Sequence, residues 1–182
     1  MTESPHLKAR IAGFFYLLTI LTGMLAVFIR SRAVGDAFNL AATACYVVVT
    51  LILYQIFKPV DRNVSLIAAF FSLAGCTLGA LQAFHFAPLH INSLVFFGFY
   101  CLLIGYLILK SNFLPRVVGI LMVLAGLGWL TFLSPQLANR LSPWTMLLGL
   151  LGEGSLTAWL LGKGVNTERW EQRPRRQKTL EA

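Results

Sequence analysis

Six apolar segments, each of membrane-spanning length, leave this chain few ways to fold. They cover residues 11–29, 38–57, 64–86, 91–109, 114–133 and 143–162, against the roughly 20 residues a helix needs to cross a hydrocarbon core about 30 Å thick. The only charged residues inside them are Arg116, in the first turn of the fifth, and Glu153, in the middle of the sixth. Backbone N–H and C=O groups cannot be left unsatisfied in lipid, and continuous apolar runs lack the alternation of barrel strands, so each segment is expected to be helical. The expected fold class is all-α: a polytopic membrane protein with a bundle of six transmembrane helices within residues 1–166, followed by a basic tail at 167–182.

Charge sets the expected orientation. Lys8, Arg10, Lys58, Arg62, Lys110, Arg116, Lys163, Arg169, Arg173, Arg175, Arg176 and Lys178 fall on one side of such a bundle, and only Arg30, Arg32 and Arg140 on the other. Positive residues in short flanking segments stay in the cytoplasm, so both termini are expected there. The formal net charge of +8 does not point to nucleic acid, because the basic residues mark span ends and not a soluble face with interleaved aromatics. The expected partner is a bilayer with anionic headgroups. Trp129 and Trp144 are assigned to an outer aromatic belt and Trp159 to an inner one, and the basic tail to a disordered or surface-lying segment. Lys8 and Arg10 resemble the n-region of a signal peptide, but the apolar stretch is long and no small-x-small site follows cleanly, so the first segment is kept as a helix.

Prolines lie at the edges of the segments. Pro59, Pro88 and Pro135 follow expected helix ends, while Pro115 and Pro143 open helices, the latter with Ser142 as N-cap. No span is expected to be broken by proline, so the proline-interrupted helices common at transporter binding sites are absent from this pattern.

Glu153 stands about ten residues from either end of the last span, among Gly149, Gly152 and Gly154. A central charge costs about 2.5–3.5 kcal/mol on the insertion scale. Glu153 is therefore expected to be protonated, paired or facing a wet cavity. Two readings stay open: a proton, cation or substrate site, or a neutral acid bonded to a neighbouring helix that the glycines let come close. Thr19, Thr22, Tyr46, Thr50, Thr77 and Tyr100 share its depth.

The third span carries Ala68, Ser72, Gly75, Gly79 and Ala83 at helical spacing, with Gly75 and Gly79 forming a GxxxG. That face is expected to pack against another helix, within the bundle or across a homo-oligomer. His85 and His90 flank Pro88 with no nearby Cys or acid in sequence, a poor metal site read as turn residues. Cys45, Cys76 and Cys101 lie within spans and are read as reduced packing residues. No catalytic, metal or cofactor motif is present: GxSxG, HExxH, the P-loop and a βαβ GxGxxG are all missing.

Several stretches carry a resemblance. Residues 9–16 (ARIAGFFY), 58–63 (KPVDRN), 105–116 (GYLILKSNFLPR), Gly119, Ala125-Gly126, Gly152-Glu153 and 159–166 (WLLGKGVN) are similar to the bacterial multi-pass membrane family catalogued as domain of unknown function four-three-eight-six. The resemblance runs from about residue 9 to 166 and implies a bacterial cytoplasmic (inner) membrane protein, with no activity, substrate or cofactor attached. It raises interest in Gly152-Glu153, where the family also tends to have Gly-Glu. The chain departs from it in shortened extracytoplasmic loops, and in Ser72 and Gly75, where relatives carry an Arg and a Glu.

Three functions remain in view: small-solute, proton or cation transport through Glu153; a non-catalytic accessory or structural membrane protein; and an intramembrane enzyme acting on lipid. The last is disfavoured because one acid is too little for paired acid–base or metal chemistry. A hydrated cavity reaching Glu153 would favour transport, and a dry bundle the accessory role.

Overall fold

The structure, a computed structural model, describes residues 4–86 and 92–172. Six α-helices follow one another: α1 (Pro5–Phe28), α2 (Arg32–Phe57), α3 (Arg62–Ala83), α4 (Leu94–Lys110), α5 (Arg116–Leu130) and α6 (Pro135–Gly162), with a 3-10 turn at Thr131–Leu133 after α5. No strand occurs among the described residues. Each helix packs on its neighbours in sequence and α6 returns to α1, which closes the bundle into a ring. Large side chains fill the middle of that ring, among them Tyr16, Tyr100 and Phe57.

The polarity of the ring is that of a membrane protein. Its outer surface is apolar, with Phe14, Leu21, Leu66, Phe70, Val117 and Leu151 all exposed. Its interior holds Thr50, Ser72, Thr145 and Thr157 beside the aromatic residues. Lipid solvates such a surface, while water would not tolerate so continuous an apolar face. Five of the helices are long and apolar enough to cross a membrane. The shorter apolar α4 has 17 residues, about 25 Å of helix at 1.5 Å per residue.

Glycines set the tightest packing. A Cβ at Gly98 would come within 3.1 Å of the Gly126 carbonyl, and one at Gly126 within 2.8 Å of the Gly98 carbonyl. Seven residues along, Gly105 and Gly119 face each other's carbonyls in the same way, at 2.9 and 3.1 Å. Helices α4 and α5 therefore run antiparallel with their backbones in contact at two levels, a geometry that only small residues allow.

Helices α1, α2 and α6 start well ahead of their apolar segments, and at α1 and α6 the start is set by a capping side chain, which hydropathy does not register. By contrast, α3 ends at Ala83, α4 starts at Leu94 and α5 spans only Arg116–Leu130, all inside the expected segments. Ser4 accepts from the Leu7 amide at 3.3 Å and starts α1 ahead of residue 11. The second helix begins at Arg32, which brings Asp36 inside it. The expected start of the last helix at Pro143 is corrected. Ser134 accepts from the Leu137 amide at 3.4 Å, Pro135 occupies the first turn, and Pro143 lies inside the helix. That proline removes one main-chain donor from the ladder of α6, so one span does carry an internal proline, although none divides into two helices.

At the end of α3, His85 takes a positive φ of 58°. The Phe86 amide donates to the Leu81 carbonyl at 2.9 Å and the His85 amide to the Gln82 carbonyl at 3.0 Å. This is a Schellman motif with histidine at the position glycine usually takes. At the opposite end of the bundle, Trp170 donates its indole N–H to the Ile56 carbonyl at 2.8 Å, and Arg169 donates to the Asn112 carbonyl at 3.0 Å. The first residues of the tail, 167–172, are thus helical and docked on the surface of the bundle, not disordered. Arg173, Arg175, Arg176 and Lys178, like Pro88 and His90, lie outside the described residues.

Candidate functional site: a cavity with Glu153 at its floor

The second helix builds one wall. Asp36, Asn39, Thr43 and Tyr46 recur every three to four residues and line a cavity of about 410 Å3. All six α-helices or their caps reach it: Thr19 and Gly23 from α1, Gly75 and Gly79 from α3, Ser93 and Phe97 at the start of α4, Trp129 from α5 and Glu153 from α6. Asp36 and Ser93 stand beside the α1–α2 and α3–α4 connections, so the mouth opens at that end of the bundle. Tyr46 lies ten residues further along α2 than Asp36, about 15 Å deeper at 1.5 Å per residue.

Glu153 occupies the inner part and keeps some of its surface open. Its Oε1 accepts the Trp129 indole N–H at 2.9 Å and faces the Cys101 Sγ–H at 3.8 Å. Tyr16 stands beside the same carboxyl, and the Tyr16 and Tyr46 hydroxyls are hydrogen-bonded at 3.1 Å. The rings of Tyr16, Phe97 and Tyr100 each lie against that of Tyr46, at centroid distances of 5.3, 4.7 and 5.8 Å. The Tyr100 hydroxyl is buried and has no hydrogen-bond partner.

Beyond Glu153 the bundle is closed. Leu53, Ile56, Phe57, Leu107, Ile108, Met122, Leu156 and Leu160 fill its lower half, none more than 1% exposed. The cavity therefore has a mouth at one end of the bundle and an apolar plug between Glu153 and the other.

The glycines proposed from sequence divide by position. Gly149 lies one turn before Glu153, and a Cβ there would overlap the Trp129 ring, so this glycine makes room for the indole that holds the acid. Gly152 touches α5, where a Cβ would stand 2.5 Å from that of Ala125. Gly75 is tight against Phe96 and Phe97, at 3.1 to 3.3 Å, a contact inside one chain. Gly79 differs from the expected packing role: a Cβ there meets only Ser93 and Thr43 at 3.8 Å or more, and the residue lines the cavity. Gly154 has nothing within 4 Å and is not a packing residue.

Of the polar groups at similar depth, the structure brings Thr19 and Tyr46 to the cavity. Thr50 is bonded to Ser72 at 2.6 Å, and Thr22 and Thr77 donate to their own helix carbonyls. Trp129 is corrected from an interfacial anchor to the partner of Glu153, only 9% exposed. Its donor-only indole, set among Gly126, Gly128 and apolar residues, was the available signal that it needs a buried acceptor. Asp36, Asn39 and Tyr16 were not singled out. Asp36 also pairs with His85, 3.5 Å from Nε2. No cluster of three or more His, Cys, Asp or Glu that could hold a metal occurs among the described residues.

The ring of apolar helices and its one-ended cavity define a multi-pass, all-α membrane protein, with Asp36 at the mouth and Glu153 at the inner end as the acids that line the cavity among the described residues. The chain belongs to the family described as Domain of unknown function (DUF4386), whose pattern matches residues 77–164, from the end of α3 to just past α6. A curated relative from Archaeoglobus fulgidus, described as an uncharacterized protein, is 30% identical over 127 residues, which cover 65% of this chain and 76% of that protein. No solved structure matches the chain.

Proposed function

We propose that this is a non-enzymatic transport or permeation protein whose substrate, a proton, a cation or a small solute, binds at Glu153 from the cavity. The observation that carries this reading is the continuity of the cavity from Asp36 at its mouth to Glu153. A carboxyl needed only for packing would be better served by a dry contact than by a cavity that ends on it. In this reading the protein lies in a bacterial cytoplasmic (inner) membrane among anionic headgroups, with both termini in the cytoplasm and the cavity open to the outside. The archaeal relative does not itself carry the bacterial assignment. Passage to the other side requires the plug around Leu156 and Leu160 to part from Leu53 and Leu107, so the described conformation is the outward-open one of an alternating pair.

The accessory reading has one observation in its favour: through Trp129 and Cys101 the Glu153 carboxyl ties α6 to α5 and α4. Flux separates the two. Purified parent and Glu153→Gln chains, reconstituted in vesicles, are assayed for proton and alkali-cation flux under a pH gradient. Transport predicts flux in the parent that the amide abolishes without loss of folding. Absence of flux in the parent, with equal stability of both chains, supports the accessory role instead.

A further inference from the structure

We propose that the cavity is a binding site for a small organic ammonium cation, with its charged nitrogen at Glu153 and its apolar body against Tyr46, Phe97 and Trp129. This rests on the reading of Glu153 as a substrate site and names the chemical class.

Charge selects the sign of the ligand. The walls carry the carboxyls of Asp36, which faces the His85 imidazole at 3.5 Å, and of Glu153, and among the described residues no Lys or Arg lines them. An anion would enter against two acids, with no guanidinium or ammonium to receive it.

Hydrogen-bonding capacity selects a donor. Thr43 donates to the Asn39 carbonyl at 2.8 Å and Thr19 to the Phe15 carbonyl at 3.0 Å, so both hydroxyl hydrogens are engaged and both oxygens are left as acceptors. Glu153 receives Trp129 and Cys101 at one oxygen and has Tyr16 beside it, whereas a carboxylate offers about four acceptor sites. The Asn39 and Gln82 amides on the same wall offer both donors and acceptors, so N–H groups of the ligand are received by the two threonine oxygens and the remaining acceptor sites of Glu153.

Size and lining argue against a bare ion. A cavity of about 410 Å3 is near the lower end of the range for small-molecule sites, about 300–1,000 Å3. A hard divalent cation asks for about six to eight close oxygen ligands, and a proton needs no cavity at all. The aromatic residues at the inner end, Tyr46, Phe97 and Trp129, offer what an organic cation uses: apolar contact for its carbon body and ring faces for its charge. Gly79 on α3 leaves part of the room, since a Cβ there would meet only Ser93 and Thr43 at 3.8 Å or more.

The test uses the purified full-length chain in detergent, with calorimetric titration of phenethylammonium, of its neutral isostere 2-phenylethanol and of the anion 3-phenylpropionate at matched ionic strength. The parent should bind phenethylammonium saturably and at least tenfold more tightly than either of the others. Glu153→Gln should weaken that binding tenfold or more. Gly79→Leu, which places a side chain in the cavity without touching the acid, should do the same and serves where Glu153→Gln does not fold. Equal binding of the neutral isostere, or undiminished binding in Gly79→Leu, overturns the inference. If no ammonium binds while vesicles still show proton or alkali-cation flux that depends on Glu153, the ligand class fails and the transport reading stands. If ammonium binds through Glu153 and nothing is transported, the site stands and the transport reading fails.

Discussion

Trp129 and Gly149 are complementary: the indole of one occupies the space where the other would carry a Cβ, and from that position it donates to Glu153 at 2.9 Å. The pair ties the orientation of the buried acid to the packing of α5 on α6. Replacing Gly149 by Ala should expel the indole and destabilise the detergent-solubilised protein by about 1–3 kcal/mol, the usual cost of overpacking. Trp129→Phe keeps most of the volume and removes the donor, which should cost about 1–3 kcal/mol if the carboxyl oxygen is left without a substitute. Chemical unfolding monitored by fluorescence checks both. Wild-type stability in Gly149→Ala would mean that the indole sits elsewhere.

The four glycines between α4 and α5 make a sharper comparison. Gly105→Leu or Gly126→Leu should be among the most destabilising single changes in the chain, because the added side chain meets facing backbone at 2.9 Å or less, which cannot rotate away. Gly23→Ala and Gly154→Ala, which meet nothing within 4 Å, should be neutral or stabilise by roughly 0.5–1 kcal/mol through helix propensity. Thermal unfolding of the four variants orders them, and any overlap between the two pairs contradicts the antiparallel contact.

Asp61 joins two connections on the side opposite the cavity mouth. It accepts from the Val64 amide at 3.1 Å, capping α3, and from Lys110 at 2.9 Å. The Lys110 ammonium, and then the Val64 amide, hold its carboxyl below the usual value. A carboxyl lowered in the folded state adds stability that is fully present above its unfolded pKa of about 3.9, and that stability is lost as pH falls through the lower folded value. Both side chains are partly exposed, 42% and 26%, so the ion pair should contribute less than about 1 kcal/mol. Asp61→Asn, which retains the cap, should flatten the stability profile below pH 4, lowering stability by less than about 1 kcal/mol at pH 7 and converging with the parent at acid pH. An identical acid limb in parent and variant removes the pair from the account.

Orientation is open to a direct check. Reporter fusions after Asn63, Ser111 and Lys163 should read cytoplasm, and fusions within residues 30–37 and 134–141 the opposite side, as the distribution of Lys and Arg requires. Two contrary reporters would dismantle the six-span topology and with it the outward direction of the cavity.

The apolar runs made the helices legible, because length in hydrocarbon is a one-dimensional quantity that a sequence displays. Capping residues such as Ser4 and Ser134 moved the helix starts, since a start depends on one side-chain oxygen and not on an average over a window. Glu153 was legible as an isolated acid, but its partners were not: Trp129, Cys101 and Tyr16 come from three other helices, and only the rotation of each helix decides which residues meet. The same limit applies to glycine. Gly75 and Gly79 form the recognisable GxxxG, yet the backbone contact belongs to Gly98, Gly105, Gly119 and Gly126, spaced by seven and paired between two helices, and Gly79 lines the cavity beside Ser93 and Thr43.

The central claim is a cavity that admits water to Glu153 from one end of the bundle and is sealed at the other. Single cysteines at Thr43 and Leu160, in a chain whose Cys45, Cys76 and Cys101 are replaced by serine, can be treated with a membrane-impermeant thiol reagent in intact cells and in inverted vesicles. The account predicts labelling of Thr43→Cys in intact cells only and of Leu160→Cys in neither preparation. A Thr43→Cys that stays unlabelled from both sides, or a Leu160→Cys that reacts as readily as it does, would contradict it.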